Sequence, residues 1–596
     1  MRALLLCLSF VGLLFAVPAA APPPSAEAEV RAIWVDSFNP GLRSPEEIDA
    51  LIARVRRANI NTIVAQVRRN AQSLYAISLE GWAENYVPPP GFDPLQDLIE
   101  KAHARGIEVH AWVNVGPIYS GHPTIATAAW PCMLPCDPSH VFNRHGWGQP
   151  DDEYWLTRSH PSHTAGTHAD FPGERLSTGL WYLDLGHPAA ADYTIDVLLH
   201  VIRNYNVDGL HLDFIRYPEM PITSPPDGGL SFATGYNPVS VRRFNAAFAR
   251  PEGSLPDPWN ASWSQWRRDQ VSAFVRRLYL ETLSLRPRVT LSASLIAFFR
   301  GPNTEEPRTF QQTEPYYRVF QDWNGWMEEG MLDLGMPMIY KSQHIASHLV
   351  QFREWIEFTK TAQYGRHGTI GLGAFLNSLE NTLAQMAEGR APALTGERSR
   401  GFNLFSYNAT NQATPDTPLR PQDELFRALS EDGAYAAEAP FRDRARTPTM
   451  AWKTRPRRGH LLARIIGADS LPADGARVTI RRFGGSPDEK VVQYADGNGF
   501  VGGIALVPGA YWLIVEVAGA PRQRITVRRL VVPGRVTRVT VTLDHQMTGP
   551  IARDSRILAA QERTDHLEGA SPLEEWRTHE PLADDVAAEN AVLPRP

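Results

Sequence analysis

The chain has 596 residues, 43% of them hydrophobic and 21% charged, which is enough apolar material for two to four packed domains. A net charge of −6 excludes the strongly basic balance of a general nucleic-acid binder. The sixteen Trp suit both a large core and a cleft that stacks on sugar rings, and most are read as core.

Residues 1–21 read as a secretory signal. Arg2 supplies the positive start, residues 3–17 the apolar run, and Ala19-Ala20-Ala21 the small-residue cleavage site. The run is short for a membrane span, so export is expected, to the periplasm or the exterior, with an uncleaved anchor as the alternative. No membrane insertion is expected once the signal is gone. With Cys7 in the signal, Cys132 and Cys136 remain. In an oxidising compartment they favour a local disulfide over a zinc site, for which His140 and His145 stand at irregular spacing.

After the Pro-rich joint at Pro22–Pro24, strand and helix patterns alternate. Strands are expected over 30–36, 61–68, 107–114, 209–214, 289–294, 332–340, 369–375 and 401–407. Helices are expected over 45–59, 94–105, 188–205, 263–285, 316–329, 348–364, 377–388 and 421–429. Ser44 and Asp93 read as helix caps with Pro at the first helical position. A long loop, 116–178, is rich in Pro, His and Gly. Eight strands with intervening helices over residues 29–435 predict an α/β fold, a (β/α)8 TIM barrel.

The strand faces support closure. Val64, Gln66 and Arg68 on the second strand, and Glu108, His110, Trp112 and Asn114 on the third, alternate with apolar residues that would face the helices. A polar inner face suits a barrel whose upper layer is an active site. Residues 456–543 carry short alternating strands and the turn Asp496-Gly-Asn-Gly499, and predict a small all-β sandwich. Residues 544–596 are polar, acid-rich and aperiodic, and read as disordered.

The stretch 206–218, with Gly209, His211 and Asp213 on one face and Leu210, Leu212 and Phe214 on the other, organises the candidate chemistry. Asp213 ends a strand where barrel enzymes gather their catalytic groups. The plainer alternative is an ion pair with Arg216 or Arg68. The same rim would gather Asp36, Gln66, Arg68, Asn114, Arg216, Tyr217, Tyr340 and Ser406. Carboxylates, amides and aromatics together suit sugar recognition, and glycoside hydrolysis uses two carboxyl groups. Asp36 is the leading partner for Asp213, with a loop cap as its other reading. Asp184, Glu305 and Glu306 are further candidates, with capping or plain solvation beside them. His110 and His211 read as packed, hydrogen-bonded core histidines. No phosphate loop, dinucleotide fingerprint or Gly-x-Ser-x-Gly elbow is present, and no metal or organic cofactor is expected.

Arg31-Ala-Ile-Trp-Val-Asp36, Asn61-Thr-Ile-Val-Ala-Gln-Val-Arg68, Val109-His-Ala-Trp-Val-Asn114, Trp181-Tyr-Leu-Asp184, Asp208-Gly-Leu-His-Leu-Asp213 and Arg216-Tyr-Pro218 resemble bacterial glycosyl-hydrolase-like family ten. The likeness runs on through Gln321-Asp-Trp323, Pro337-Met-Ile-Tyr340 and Phe405-Ser406, over about residues 29–430. It implies a TIM barrel, a glycoside hydrolase and a place for Asp213 in the sugar cleft. Its characterised relatives include an enzyme of peptidoglycan glycan strands that lack stem peptides, so that glycan is the preferred polysaccharide partner. A neutral polysaccharide such as an α-glucan, or glycan binding without catalysis, are the alternatives. Three positions depart from the family pattern: Phe214, where many relatives carry a second Asp; Met338, where many carry Gln; and Ser292–Ala297, in place of a Ser-Pro-Phe-Gly-like segment. The C-terminal module resembles carboxypeptidase-regulatory-like domains.

Overall fold

The computed structural model describes residues 28–547, apart from 125–131, 162–168, 172, 177–178, 219–232, 259, 304–306, 434 and 518–520. The signal segment, the Pro-rich joint, Glu305, Glu306 and nearly all of the C-terminal tail lie outside the described residues. Eight parallel strands close on themselves. They are β1 (Val30–Val35), β2 (Thr62–Arg69), β3 (Glu108–Asn114), β4 (Gly209–Asp213), β5 (Thr290–Ile296), β6 (Leu334–Ile339), β7 (Ile370–Gly373) and β8 (Gly401–Phe405). Each pairs with its sequence neighbour, and β8 returns to β1 with Val30 opposite Gly401. The expected TIM barrel is present.

Local chemistry sets the outer layer. Helix α1 (Pro45–Arg57) starts where the Ser44 hydroxyl accepts the Glu47 N–H at 3.2 Å. Asp93 Oδ1 accepts the Leu95 N–H at 3.1 Å at the start of α2 (Pro94–His103). Both helices turn Ile and Leu onto strand residues such as Ile63, Ala65 and Val109, in one continuous apolar core. Inside the barrel a second cluster unites Val30, Ala32, Trp34, Val64, Trp112, Leu334 and Met336. Helix α3 (Pro188–Asn204) leads into β4, and α4 (Pro238–Ala247) and α5 (Ala261–Leu285) occupy the long β4–β5 connection. The helix expected over 316–329 is broken. Phe320 takes φ of 57°, and two short pieces, Glu314–Tyr317 and Trp323–Glu329, flank it.

The C-terminal module is a sandwich of three and four strands. One sheet holds β9 (Gly459–Ile466), β12 (Phe500–Leu506) and β15 (Val536–Thr542). The other holds β10 (Arg477–Arg482), β11 (Lys490–Tyr494), β13 (Tyr511–Glu516) and β14 (Gln523–Thr526). Pairing is antiparallel except between β9 and β15, the first and last strands, which run parallel. Leu462 and Ile504 of this module belong to the main apolar cluster of the barrel.

The connecting segment crosses the barrel floor. Glu29 N–H donates to Arg446 O at 2.9 Å, and Thr447 Oγ1 donates to Glu108 Oε1 at 2.6 Å. Met450 packs beneath the inner cluster. Lys453 Nζ then sits 2.9 Å from Asp333 Oδ2, and the Trp452 indole donates to Asp333 Oδ1 at 2.7 Å. Among the described residues, no helix is long and apolar enough to cross a membrane.

Candidate active site

Asp213 ends β4 at the barrel mouth, opposite Asn114 of β3 in register. Its residue is 6% exposed. Oδ2 accepts the Trp112 indole N–H at 3.0 Å, and Oδ1 accepts the Phe214 N–H at 2.8 Å. Burial pushes the carboxyl above the usual carboxylate range. The nearby Arg216 guanidinium, the two N–H donors and the Ser294 hydroxyl pull the other way without cancelling that push. A carboxyl that burial pushes toward its protonated form despite a nearby guanidinium is equipped to carry a proton.

The residue after it is bent out of the strand. Phe214 has φ of 52°, a costly conformation for a bulky side chain, placed where active sites commonly hold backbone strain. Its ring joins Leu176, Leu180 and Tyr182, and the Arg216 guanidinium lies over it at 4.5 Å. Arg216 is thereby held beside Asp213.

Below Asp213 the interior is hydrogen-bonded. The Trp34 indole donates to His211 Nε2 at 3.2 Å, which makes Nε2 an acceptor and leaves Nδ1 to donate to Ser292 Oγ at 3.0 Å. Ser294 Oγ lies 2.8 Å from the same Nε2. Burial holds His211 neutral, well below its usual range, with His110 adding to the effect. The two histidines are core residues. The His110 ring lies so close across Gly209 that a Cβ there would meet it at 2.5 Å, so a glycine is required. Above this layer an aromatic wall closes the mouth. Tyr340 meets Trp34, Phe405 and Phe375 at 6.3, 5.6 and 5.6 Å. Burial and the nearby Asp213 raise the Tyr340 hydroxyl well above its usual range, so it stays a neutral donor.

The amides on the rim form a chain. Gln66 Nε2 donates to Asn114 Oδ1 at 3.2 Å, and Gln66 Oε1 accepts from Ser37 N–H and Oγ at 3.1 and 2.8 Å. The structure thus brings Asp213, Arg216, Asn114, Gln66 and Tyr340 to one end of the barrel.

Other expected members are placed elsewhere. Arg68 does not face the axis. A register shift between Gln66 and Arg68 sets Arg68 opposite Val113, on the outward face. There it is fully buried and grips Glu80 at 2.7 and 2.6 Å, while Tyr193 donates to the same carboxylate at 2.8 Å. Tyr217 is also directed away. It is 2% exposed in the outer core, and its hydroxyl donates to Asp184 Oδ1 at 3.0 Å. Asp184 accepts as well from Gly186 N–H at 2.8 Å and Ser240 Oγ at 3.0 Å, and organises the loop into α3. Asp36 stands at the mouth, but its carboxylate accepts the N–H groups of Phe38 and Asn39 at 3.2 and 2.8 Å and the Asn39 amide at 3.1 Å. That is the bonding of a loop cap. Ser406 Oγ likewise accepts the Ala409 N–H at 3.3 Å.

Three supporting residues were not singled out from sequence. Trp112 and Ser294 hold Asp213, and both show only as inward positions in strand alternation. Gln321, fully buried, accepts the Ile296 N–H at 2.7 Å and donates to Ser294 O and Ile215 O at 3.2 and 3.3 Å. It stitches the ends of β4 and β5 together. Its signal was the Gln321-Asp-Trp323 segment, legible only through the family likeness. Cys132 and Cys136 form the expected disulfide, with Cα atoms 5.6 Å apart. Among the described residues, no group of three or more His, Cys, Asp or Glu could hold a metal ion.

The family described as "Glycosyl hydrolase-like 10" matches residues 29–364. Glycosyl hydrolase DigH of Escherichia coli (strain K12) is 24% identical over 372 residues, covering 58% of this chain and 74% of that protein. Glycosyl hydrolase YngK of Bacillus subtilis (strain 168) is 24% identical over 465 residues, covering 73% and 79%. Among solved structures, the PgaB (BpsB) glycoside hydrolase domain from Bordetella bronchiseptica covers 67% of this chain and 100% of its own at 13% identity, with a TM-score of 0.40. A likeness that slight carries no argument.

Proposed function

The chain belongs to the glycosyl hydrolase-like 10 family, and from that premise we propose that it is an exported glycoside hydrolase acting on peptidoglycan glycan strands. The observation that carries the reading is Asp213: a buried carboxyl at the barrel mouth, aimed by Trp112 and Ser294, ringed by aromatics and amides, and pushed by burial toward its protonated form. In that form it can donate its proton to the leaving glycosidic oxygen. The Tyr340 hydroxyl, the Asn114 and Gln66 amides and the Arg216 guanidinium then position hydroxyl or N-acetyl groups. The aromatic wall supplies apolar ring faces and excludes water. Peptidoglycan is preferred because of the family likeness, and export because of the leader-like residues 1–21. The β-module, with its carboxypeptidase-regulatory-like sequence, is accessory.

The test uses the chain from residue 22 onward, wild type and Asp213→Asn, incubated with peptide-stripped peptidoglycan and a polysaccharide panel including an α-glucan. Soluble products are read by mass spectrometry. Release from stripped peptidoglycan by the wild type alone is the expected result. Release from an α-glucan instead would reassign the substrate. One observation favours a second reading. Asp36 is engaged by three hydrogen bonds and Phe214 replaces an acid common in relatives, so the chain could bind glycan without cleaving it. No release from any substrate, with wild type retained on stripped glycan, would establish that binding role.

A further inference from the structure

The β-module meets the barrel along α4 and α5, and the joint encloses a cleft of ≈300 Å³. We propose that this cleft is a second glycan-binding site, separate from the barrel mouth, that takes an uncharged stretch of polysaccharide. The proposal rests on the glycan reading above and adds a site to it. Trp266, Gln270 and Arg276 line it from α5, and Asp474, Tyr494 and Asp496 from the module. Clefts between domains are frequent ligand sites, and this one has the volume of a small-molecule pocket.

The walls are locked. Arg243 of α4 grips Asp474 of the module at 2.6 and 2.7 Å. Asn498 Nδ2 donates to Pro188 O at 2.9 Å, and the Arg277 guanidinium lies 3.9 Å over the Phe500 ring. The two halves therefore hold a fixed spacing, and a ligand meets a preformed cleft.

The lining chemistry selects the class of ligand. Its guanidinium groups are already matched: Arg243 by Asp474, and Arg276 by Glu329 at 2.5 and 2.8 Å. No uncompensated cation is left to attract a phosphate or a uronate. What remains is a set of amides and carboxylates of fixed orientation. Gln265 Nε2 donates to Asp269 Oδ1 at 2.8 Å, and Asp496 Oδ1 is held by the N–H groups of Asn498 and Phe500 at 2.9 and 2.8 Å. Oriented acceptors beside amide donors match sugar hydroxyls, each of which both donates and accepts. Trp266, packed between Trp263 and the Arg243 guanidinium, forms the apolar back of the cleft, and the half-buried Tyr494 ring gives the apolar surface on which a pyranose lies.

Val492, on β11, is 38% exposed at the cleft edge, so Val492→Trp would plug the cleft from a position where an aromatic suits the strand. Calorimetry would titrate soluble fragments of an uncharged N-acetylglucosamine oligomer, the neutral sugar of the peptidoglycan repeat, into the full chain carrying Asp213→Asn. Two fragments per chain are expected, falling to one when Val492→Trp is added. Tyr494→Ala, as an independent variant, should weaken the second event roughly tenfold. In the Asp213 wild type, Val492→Trp should slow release from insoluble glycan several-fold and leave hydrolysis of short soluble fragments unchanged. One fragment per chain, with neither variant affecting binding or insoluble turnover, would show a solvent-filled gap and overturn the second site alone. No binding and no release by the wild type would overturn the glycan reading and this site with it.

Discussion

Two buried aspartates stand at opposite ends of the same barrel and are treated oppositely. Asp213 at the mouth has the Arg216 guanidinium nearby and is met by a backbone N–H, an indole and a hydroxyl, and burial still wins: the acid is pushed up. For Asp333 at the floor, burial pushes the same way, but Lys453 at 2.9 Å and Arg366 at 3.8 Å outweigh it and hold the acid below its usual range. Burial alone thus does not decide what a carboxyl is for. Burial that outweighs one nearby guanidinium and a set of neutral donors leaves a proton available for transfer, whereas an ammonium in contact together with a second cation makes a permanent anion that clamps chain segments together.

The comparison breaks most visibly in activity. Asp213→Asn should lower product release by about 10²–10⁴-fold, the usual worth of a positioned acid. Retained release would remove Asp213 from the chemistry. Asp333→Asn should leave the mouth chemistry intact but cost about 3–5 kcal/mol in urea unfolding, because Lys453 would be buried without its anion. Equal destabilisation by both Asn variants at neutral pH would mean that the mouth acid is a clamp as well. A smaller effect sharpens the mouth. Trp112→Phe removes one donor to Asp213, worth about 1 kcal/mol, so the rate should fall roughly fivefold. Since that donor favours the ionised form, the alkaline limb of the pH–rate profile should move upward. The smallest effect is on stability. With its folded pKa raised above its unfolded one, Asp213 keeps its proton in the folded state after the unfolded chain has lost it, so its contribution to stability falls as pH rises through that window. Asp213→Asn, which does not titrate, should gain a few degrees of melting temperature relative to wild type from acid to neutral pH. A constant difference across pH would contradict the raised acid.

Alternation made the barrel legible, because an inward polar face and an outward apolar face repeat on β2, β3 and β4, and the caps at Ser44 and Asp93 follow from local hydrogen bonding. Asp213, Asn114, Gln66 and Tyr340 were legible as strand-end groups for the same reason. Arg68 was misplaced because one extra residue in a strand reverses its faces, and a register shift between two strands leaves no mark in one of them. Tyr217 was misplaced because the left-handed turn at Phe214 ends the alternation before it is reached. The Glu80 partner of Arg68, the Ser240 and Tyr217 partners of Asp184 and the Lys453 partner of Asp333 are tertiary pairings, which no local pattern encodes.

The floor clamp also has a consequence for synthesis. Lys453 is made 120 residues after Asp333, and 48 residues after Phe405 completes the last barrel strand. While the chain is still on the ribosome, a closed barrel would hold Asp333 without the ammonium that keeps it ionised. Without the segment around Met450, Asp333 has Arg366 at 3.8 Å but no ammonium in contact, so a polypeptide ended at residue 435 should unfold at lower urea than the full chain.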